Sequence, residues 1–137
     1  AMCNGLLGWV GSWFGIPNLT FQLILGYLFS PIAFLLGVPW KEALSVGTML
    51  GEKVILNEFV AYVNLQSQLT ILSPRAVTIT TYALCGFSNL STIGMSLGAI
   101  AAIAPSRQSV LARLSLRALI AANLACMMTA CIAGILI

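Results

Sequence analysis

Long apolar stretches separated by short polar segments run through the whole chain and predict an all-α integral membrane protein. A helix that crosses a bilayer needs about 20 mostly apolar residues, and the stretches can be sorted by that length. The predicted elements are the end of a transmembrane helix (1–16), a helix over 19–38, a re-entrant helical hairpin (41–66), a broken transmembrane helix (76–104) and a last transmembrane helix (111–137).

The segment from Leu19 to Val38 fits two placements equally well on its pattern alone. It is 20 residues long and carries no charge, as a spanning helix requires. Gly26, Ser30 and Pro31 interrupt it, and these residues suit a helix that lies at the membrane surface. Both a spanning and an interfacial helix therefore stay open at this point.

The hairpin is predicted from two apolar pieces, 43–50 and 54–63, each too short to cross a hydrocarbon core about 30 Å thick. A turn near Leu56 and Asn57 makes them two half-helices that enter and leave by one face. Such backbone is tolerated only where it is buried in protein or lines a wet cavity. The hairpin is therefore expected beside a ligand or ion path.

Glu58 is the most unusual residue of this hairpin, because it is a carboxylate in an apolar run. In the first turn of the returning half-helix, free N–H groups and the helix dipole favour an anion. The alternative is a single tilted helix in which Glu58 pairs with Lys53 or with an arginine elsewhere, since charges inside membranes also pair for structural reasons.

The stretch from Ala76 to Ala104 is 29 residues long and uncharged, but its middle is polar and rich in glycine. Glycine and the side chains of serine and asparagine weaken helical hydrogen bonding, so an unwound segment is expected from Gly86 to Ser91. Interrupted helices of this kind point to a transporter site near the bilayer midplane. The alternative is that the small residues permit tight helix packing, with Asn89 bonding across helices.

The charges give the expected orientation. Arg107, Arg113 and Arg117 form the densest cationic cluster, which the positive-inside tendency places in the cytoplasm, so that Ile137 is expected outside the cell. Only 7% of the residues are charged and 60% are hydrophobic, which excludes the basic patch of a nucleic-acid-binding protein. The chain has no His, no Asp and no Cys-x-x-Cys spacing, so neither an enzyme nor a metal site is predicted.

These residues resemble the C-terminal third of the concentrative nucleoside transporters. The resemblance is carried, in chain order, by Gly51 and Lys53, Asn57-Glu58-Phe59-Val60-Ala61-Tyr62, Leu72-Ser73 and Arg75, Thr81-Tyr82-Ala83-Leu84-Cys85-Gly86-Phe87-Ser88-Asn89, Ala104-Pro105-Ser106-Arg107, Arg117-Ala118-Leu119-Ile120-Ala121 and Thr129-Ala130-Cys131-Ile132-Ala133-Gly134. We therefore expect the chain to be one part of a larger, inverted-repeat transporter in the plasma membrane.

The resemblance implies a function and a site. It implies cation-coupled uptake of nucleosides, with sodium as the expected ion, by a homotrimer in lipid, and it favours the interfacial placement of residues 19–38. It implies no cofactor, and the coupling ion would be bound mainly by parts of the transporter outside this chain. The implied substrate-binding residues are Glu58 and Asn89, which hydrogen-bond the ribose, Thr92, where the family has a serine, the aromatic Phe87, and Asn57 beside the glutamate.

Two residues depart from the family pattern, and two other functions stay open. Ser88 stands where the family usually has alanine, and Glu52 where it has an uncharged residue. A proton-coupled carrier could use Glu58 as its proton site. A structural or channel subunit could use the same polar groups to pack helices or to line a pore.

Overall fold

The computed structural model describes Gly5, Trp9 and residues 19–137, and over this part of the chain it contains helices and no strand. The all-α class is therefore confirmed. The predicted helix end at 1–16 lies outside the described residues, apart from those two positions. The elements are α1 (Phe21–Leu35), α2 (Trp40–Ile55), α3 (Glu58–Ser67), α4 (Pro74–Leu84), α5 (Leu90–Ile103), a 3₁₀ turn (Pro105–Arg107) and α6 (Gln108–Leu136).

Helices α1 and α2 form a sharp V, with 118° between their directions. The turn uses Gly37 at φ +97°, and the N–H of Val38 donates to the carbonyl of Ala33 at 3.2 Å, which satisfies the free end of α1. The two helices then pack with their backbones almost touching: a Cβ added to Gly47 would lie 2.6 Å from the carbonyl oxygen of Gly26. At 15 residues, α1 is about 22 Å long.

The break between α2 and α3 consists of Leu56 and Asn57 alone. Helix α2 is longer than its apolar pattern predicts, because it continues through Glu52 and Lys53. Both side chains are buried, and both have partners: Asn64 donates to Glu52, and Lys53 donates to the carbonyl of Ala83. These polar residues therefore do not end the helix.

A second break separates α4 from α5 and covers residues 85–89. The expected unwound segment extended to Ser91, but Leu90 and Ser91 already belong to α5. The helix begins earlier because the side chain of Asn89 accepts a hydrogen bond from the N–H of Thr92 and caps it. Gly86 supplies the turn, with φ at +146°.

The last helix, α6, runs 29 residues and packs along α4. With the preceding turn it forms, among the described residues, the one continuous helical stretch (Pro105–Leu136) that is long and apolar enough to cross a membrane. The buried core lies between α1, α2, α3, α4 and one face of α6, where Met49, Leu50, Ile79, Leu84 and Ala130 are almost fully enclosed. The N-terminal ends of α3 and α5 meet at the edge of this core.

Candidate functional site

Two half-helices, α3 and α5, begin next to each other, and an asparagine caps each of them. Asn57 Oδ1 accepts from the N–H of Val60 at 3.0 Å, and Asn89 Oδ1 accepts from the N–H of Thr92 at 2.9 Å. Capping by asparagine satisfies one of the free N–H groups of a helix start. Both positive dipole ends therefore face the same small region.

A direct hydrogen bond joins the two starts. Asn89 Nδ2 donates to Glu58 Oε2 at 2.8 Å, and Ser91 Oγ donates to the carbonyl of Leu56 at 3.4 Å beside it. Glu58 is half-buried in the first turn of α3, whereas Asn89 is only 2% exposed. The carboxylate therefore lies between two helix N-termini, which stabilise its charge.

The hydrogen bonds within this cluster determine which donors and acceptors remain for a ligand. Thr92 Oγ1 donates to Asn89 Oδ1 at 3.0 Å, so the hydroxyl hydrogen is used and its lone pairs remain as acceptors. The Asn89 amide has two hydrogens, of which one is bonded to Glu58. A carboxylate accepts about four hydrogen bonds. The cluster thus presents acceptors on Glu58 and Thr92 and a donor on Asn89.

A cavity of about 280 Å³ opens between α5 and α6 beside this cluster. Asn89 and Thr92 lie in its wall together with Phe87, whose ring is 77% exposed. The remaining wall is mostly apolar, with Leu119 and Ile93 among its side chains. An exposed ring next to hydrogen-bonding groups suits a ligand that has one flat apolar face and one polar end.

The five residues singled out from the sequence are thus not equivalent. Glu58, Asn89 and Thr92 form one chain of hydrogen bonds, and Phe87 shares the cavity wall with the last two. Asn57 uses its side-chain oxygen to cap α3. The alternative of one tilted helix does not describe this geometry, because α2 and α3 are separate helices and the bond to Glu58 comes from an amide.

Two residues of α6 that were not predicted from the sequence bond to the unwound segment. Asn123 on α6 donates through Nδ2 to the carbonyl of Ser88 at 3.0 Å and accepts from Ser88 Oγ at 3.3 Å. Cys126, also on α6, donates through Sγ to the carbonyl of Cys85 at 3.2 Å. The one signal in the sequence was an asparagine in the middle of an otherwise apolar helix.

Comparison with known families decides the classification. Residues 1–134 match the family described as the C-terminus of Na+ dependent nucleoside transporters. The chain belongs to this family. The family consists of transporters, and the resemblance to concentrative nucleoside transporters predicted from the motifs is confirmed.

Individual relatives agree with the family. The chain is 50% identical over 137 residues to the uncharacterized transporter YutK of Bacillus subtilis (strain 168), covering 100% of this chain and 34% of that protein. It is 42% identical over 151 residues to sodium/nucleoside cotransporter 1 of Mus musculus, covering 99% and 23%. It also matches a solved structure of CNTnw in an inward-facing substrate-bound state with a TM-score of 0.93 and 46% identity, covering 97% and 33%. The chain therefore spans between 23% and 34% of the length of these relatives.

Proposed function

We propose that this chain is the ribose-binding part of a cation-coupled nucleoside symporter in the plasma membrane, with sodium as the coupling ion. The observation that carries the proposal is the 2.8 Å hydrogen bond between Asn89 and Glu58, which joins the starts of two half-helices. Two broken elements whose N-terminal ends share a carboxylate form a binding site rather than a packing contact. The relatives named for sodium and nucleoside support the choice of ion and substrate.

The chemistry of a ribose matches what the cluster offers. Neighbouring sugar hydroxyls donate hydrogen bonds; Thr92 presents an acceptor in the cavity wall, and Glu58 presents acceptors beside the cavity, where it is bonded to Asn89. The Asn89 amide can donate its second hydrogen to a sugar oxygen. Bonds to a carboxylate are roughly twice as strong as those between neutral groups. The exposed ring of Phe87 then lies where the flat base can rest against it.

In the membrane, we propose that α2 and α3 form a re-entrant hairpin and that α4 and α5 together form one broken span. At 16 and 10 residues, α2 and α3 are about 24 Å and 15 Å long, less than the roughly 30 Å of a bilayer core. Helix α1, at 15 residues, lies at the outer surface, and α6 crosses the bilayer with its C-terminal end outside. The complete transporter is an inverted-repeat homotrimer.

Uptake by the full-length protein in proteoliposomes tests this function. Radiolabelled uridine, cytidine, adenosine and guanosine are each offered under an inward sodium gradient, under an inward proton gradient, and with neither gradient. We expect at least one nucleoside to accumulate above its external concentration under the sodium gradient alone. Accumulation that follows only the proton gradient would favour a proton-coupled carrier with Glu58 as its proton site. Uptake that never exceeds equilibrium would favour a channel or structural subunit and contradict the proposal.

A further inference from the structure

The unwound segment at residues 85–89 lies between two helices, so part of its backbone lacks helical partners, and α6 provides part of the replacement. Asn123 Nδ2 donates to the carbonyl of Ser88 at 3.0 Å, and Ser88 Oγ donates back to Asn123 Oδ1 at 3.3 Å. This reciprocal pair joins α6 to the residue directly before Asn89. A carbonyl without a hydrogen bond costs free energy in an apolar environment. The bond from Asn123 therefore stabilises the non-helical segment.

The pair is rigid because both of its members are enclosed. Ser88 is 3% exposed and Asn123 9%. The second hydrogen of the Asn123 amide donates to the carbonyl of Leu119 at 3.0 Å, one turn earlier on the same helix. Both amide hydrogens and the amide oxygen are thereby occupied, and the side chain has one orientation in which all three bonds form.

A neighbouring contact restrains the other end of the break. Cys126 Sγ lies 3.2 Å from the carbonyl of Cys85 and would be 2.7 Å from a Cβ at Gly86. The two residues Asn123 and Cys126 are three positions apart and therefore lie on one face of α6. That face fixes the path of the chain on both sides of Phe87.

We propose that Asn123 is a positioning residue for nucleoside binding, acting through the Ser88 peptide to aim the Asn89 amide at Glu58 and at the sugar. The inference rests on the proposed function, since it concerns the same site. Asn123 itself does not touch the sugar. Without it, the segment samples other arrangements, and the apparent affinity falls in proportion to the fraction of molecules in the binding arrangement.

The hydroxyl of Ser88 adds a second hydrogen bond to this contact. An alanine at this position would keep the bond from Asn123 Nδ2 to the backbone carbonyl but would lose the bond from the hydroxyl. The two bonds can therefore be removed separately. Ser88→Ala deletes one of them, together with the 3.8 Å contact between Ser88 Oγ and Cys126 Sγ, and Asn123→Leu, which keeps the branched shape of the side chain, deletes both.

Calorimetric binding to the purified full-length transporter tests the proposal. The probes are the ribonucleoside that the wild-type protein takes up and its 2′-deoxy and 3′-deoxy analogues. Interhelical hydrogen bonds in membranes correspond to roughly 3- to 20-fold in an equilibrium constant. We expect Asn123→Leu to weaken ribonucleoside binding by a factor within that range. We also expect it to reduce the ratio between the affinity for the ribonucleoside and the affinity for the weaker-binding deoxy analogue. Ser88→Ala should change both in the same direction by less, and should add little in the Asn123→Leu background, where the 3.8 Å contact with Cys126 Sγ is the remaining bond of its hydroxyl.

The preference between ribose and deoxyribose separates positioning from a merely structural role, because a loss of folded protein lowers the number of sites without changing that ratio. Thr129→Val serves as the control on α6, since its hydroxyl bonds only to the carbonyl of Ala125 on its own helix among the described residues. Should Asn123→Leu fail to fold, Ser88→Ala decides, and an unchanged ratio in it overturns the proposal. If Glu58→Gln loses the preference while Asn123→Leu and Ser88→Ala keep it, the positioning role is wrong and the proposed function stands. If all three keep it, the proposed function is wrong as well.

Discussion

The ammonium of Lys53 donates a 2.9 Å hydrogen bond to the carbonyl oxygen of Ala83, in the last turn of α4. At the other end of α4, Glu42 Oε2 accepts from both the N–H and the hydroxyl of Ser73, at 3.1 and 2.9 Å. Helix α2 thus places the Glu42 carboxylate at the positive start of α4 and the Lys53 ammonium at its negative end. Helix α2 is thereby fixed in register with α4.

This register predicts that Ser73→Ala destabilises the full-length protein. The substitution removes the cap on the N–H of Ala76 and the hydroxyl bond to Glu42. Loss of a serine cap costs about 0.5–2 kcal/mol, and the bond to a carboxylate adds to this. We expect the free energy of unfolding in detergent to fall by about 1–3 kcal/mol. Ser67→Ala, at an exposed helix end, should change it by less than about 0.5 kcal/mol, and equal effects of the two substitutions would contradict this account.

The close contact between α1 and α2 predicts a difference between two glycines. A Cβ at Gly47 would lie 2.6 and 2.7 Å from backbone atoms of Gly26 and Ser30, which can move only if the helices separate. A Cβ at Gly26 would first meet the hydroxyl of Thr48 at 2.6 Å, and a side chain can rotate away. Gly47→Ala should therefore lower the thermal midpoint of the transporter more than Gly26→Ala does. The reverse order would mean that α1 packs differently.

The conformation of Gly86 predicts that a second substitution partly restores the uptake that Gly86→Ala loses. Alanine at this position is strained by φ +146° and would place its Cβ 2.7 Å from the sulfur of Cys126. Strain of this kind costs about 1–3 kcal/mol, and the clash adds to it. We expect Gly86→Ala to reduce nucleoside uptake and Gly86→Ala with Cys126→Ala to recover part of it. Full recovery would show that the backbone conformation is not required, and no recovery, with Cys126→Ala alone as active as the wild type, would show that the sulfur is not the obstacle.

How far the sequence could predict this structure depends on whether a feature is local. The all-α class follows from the length and composition of the apolar stretches, and the helix boundary at Leu56 and Asn57 lies where a turn was expected. The bond between Glu58 and Asn89 joins residues 31 positions apart, and only the family resemblance brought them together beforehand. The roles of Lys53 and Asn123 were not predictable, because both side chains donate to backbone carbonyls, which every sequence contains.

Thr92 offers a test of how the acceptors in the site are arranged. Its hydroxyl donates to Asn89 Oδ1 and keeps its lone pairs for a ligand. Thr92→Val preserves the shape and removes both interactions, whereas Thr92→Ser keeps the hydroxyl. We expect Thr92→Val to weaken ribonucleoside binding by about 1 kcal/mol, or roughly fivefold, with Thr92→Ser close to the wild type. Equal affinity in the valine and serine variants would contradict a role for the Thr92 hydroxyl in ribonucleoside binding.

The central claim is that Glu58 binds the sugar hydroxyls as a carboxylate. Glu58→Gln keeps the size of the side chain and an oxygen for the Asn89 amide, but it loses the charge. Because bonds to charged groups exceed neutral ones by about 1–2 kcal/mol, ribonucleoside affinity should fall roughly 5- to 30-fold. The matched control is Glu52→Gln in the same hairpin, a buried carboxylate that bonds to Asn64 away from the cavity.

The most direct measurement is the dissociation constant of a ribonucleoside and of its 2′- and 3′-deoxy analogues for the purified wild-type, Glu58→Gln and Glu52→Gln transporters. Binding to the ribose predicts that Glu58→Gln weakens the ribonucleoside far more than the less favoured deoxy analogue, so that their affinities converge, while Glu52→Gln leaves both as in the wild type. Wild-type affinity for the ribonucleoside in Glu58→Gln would contradict the account.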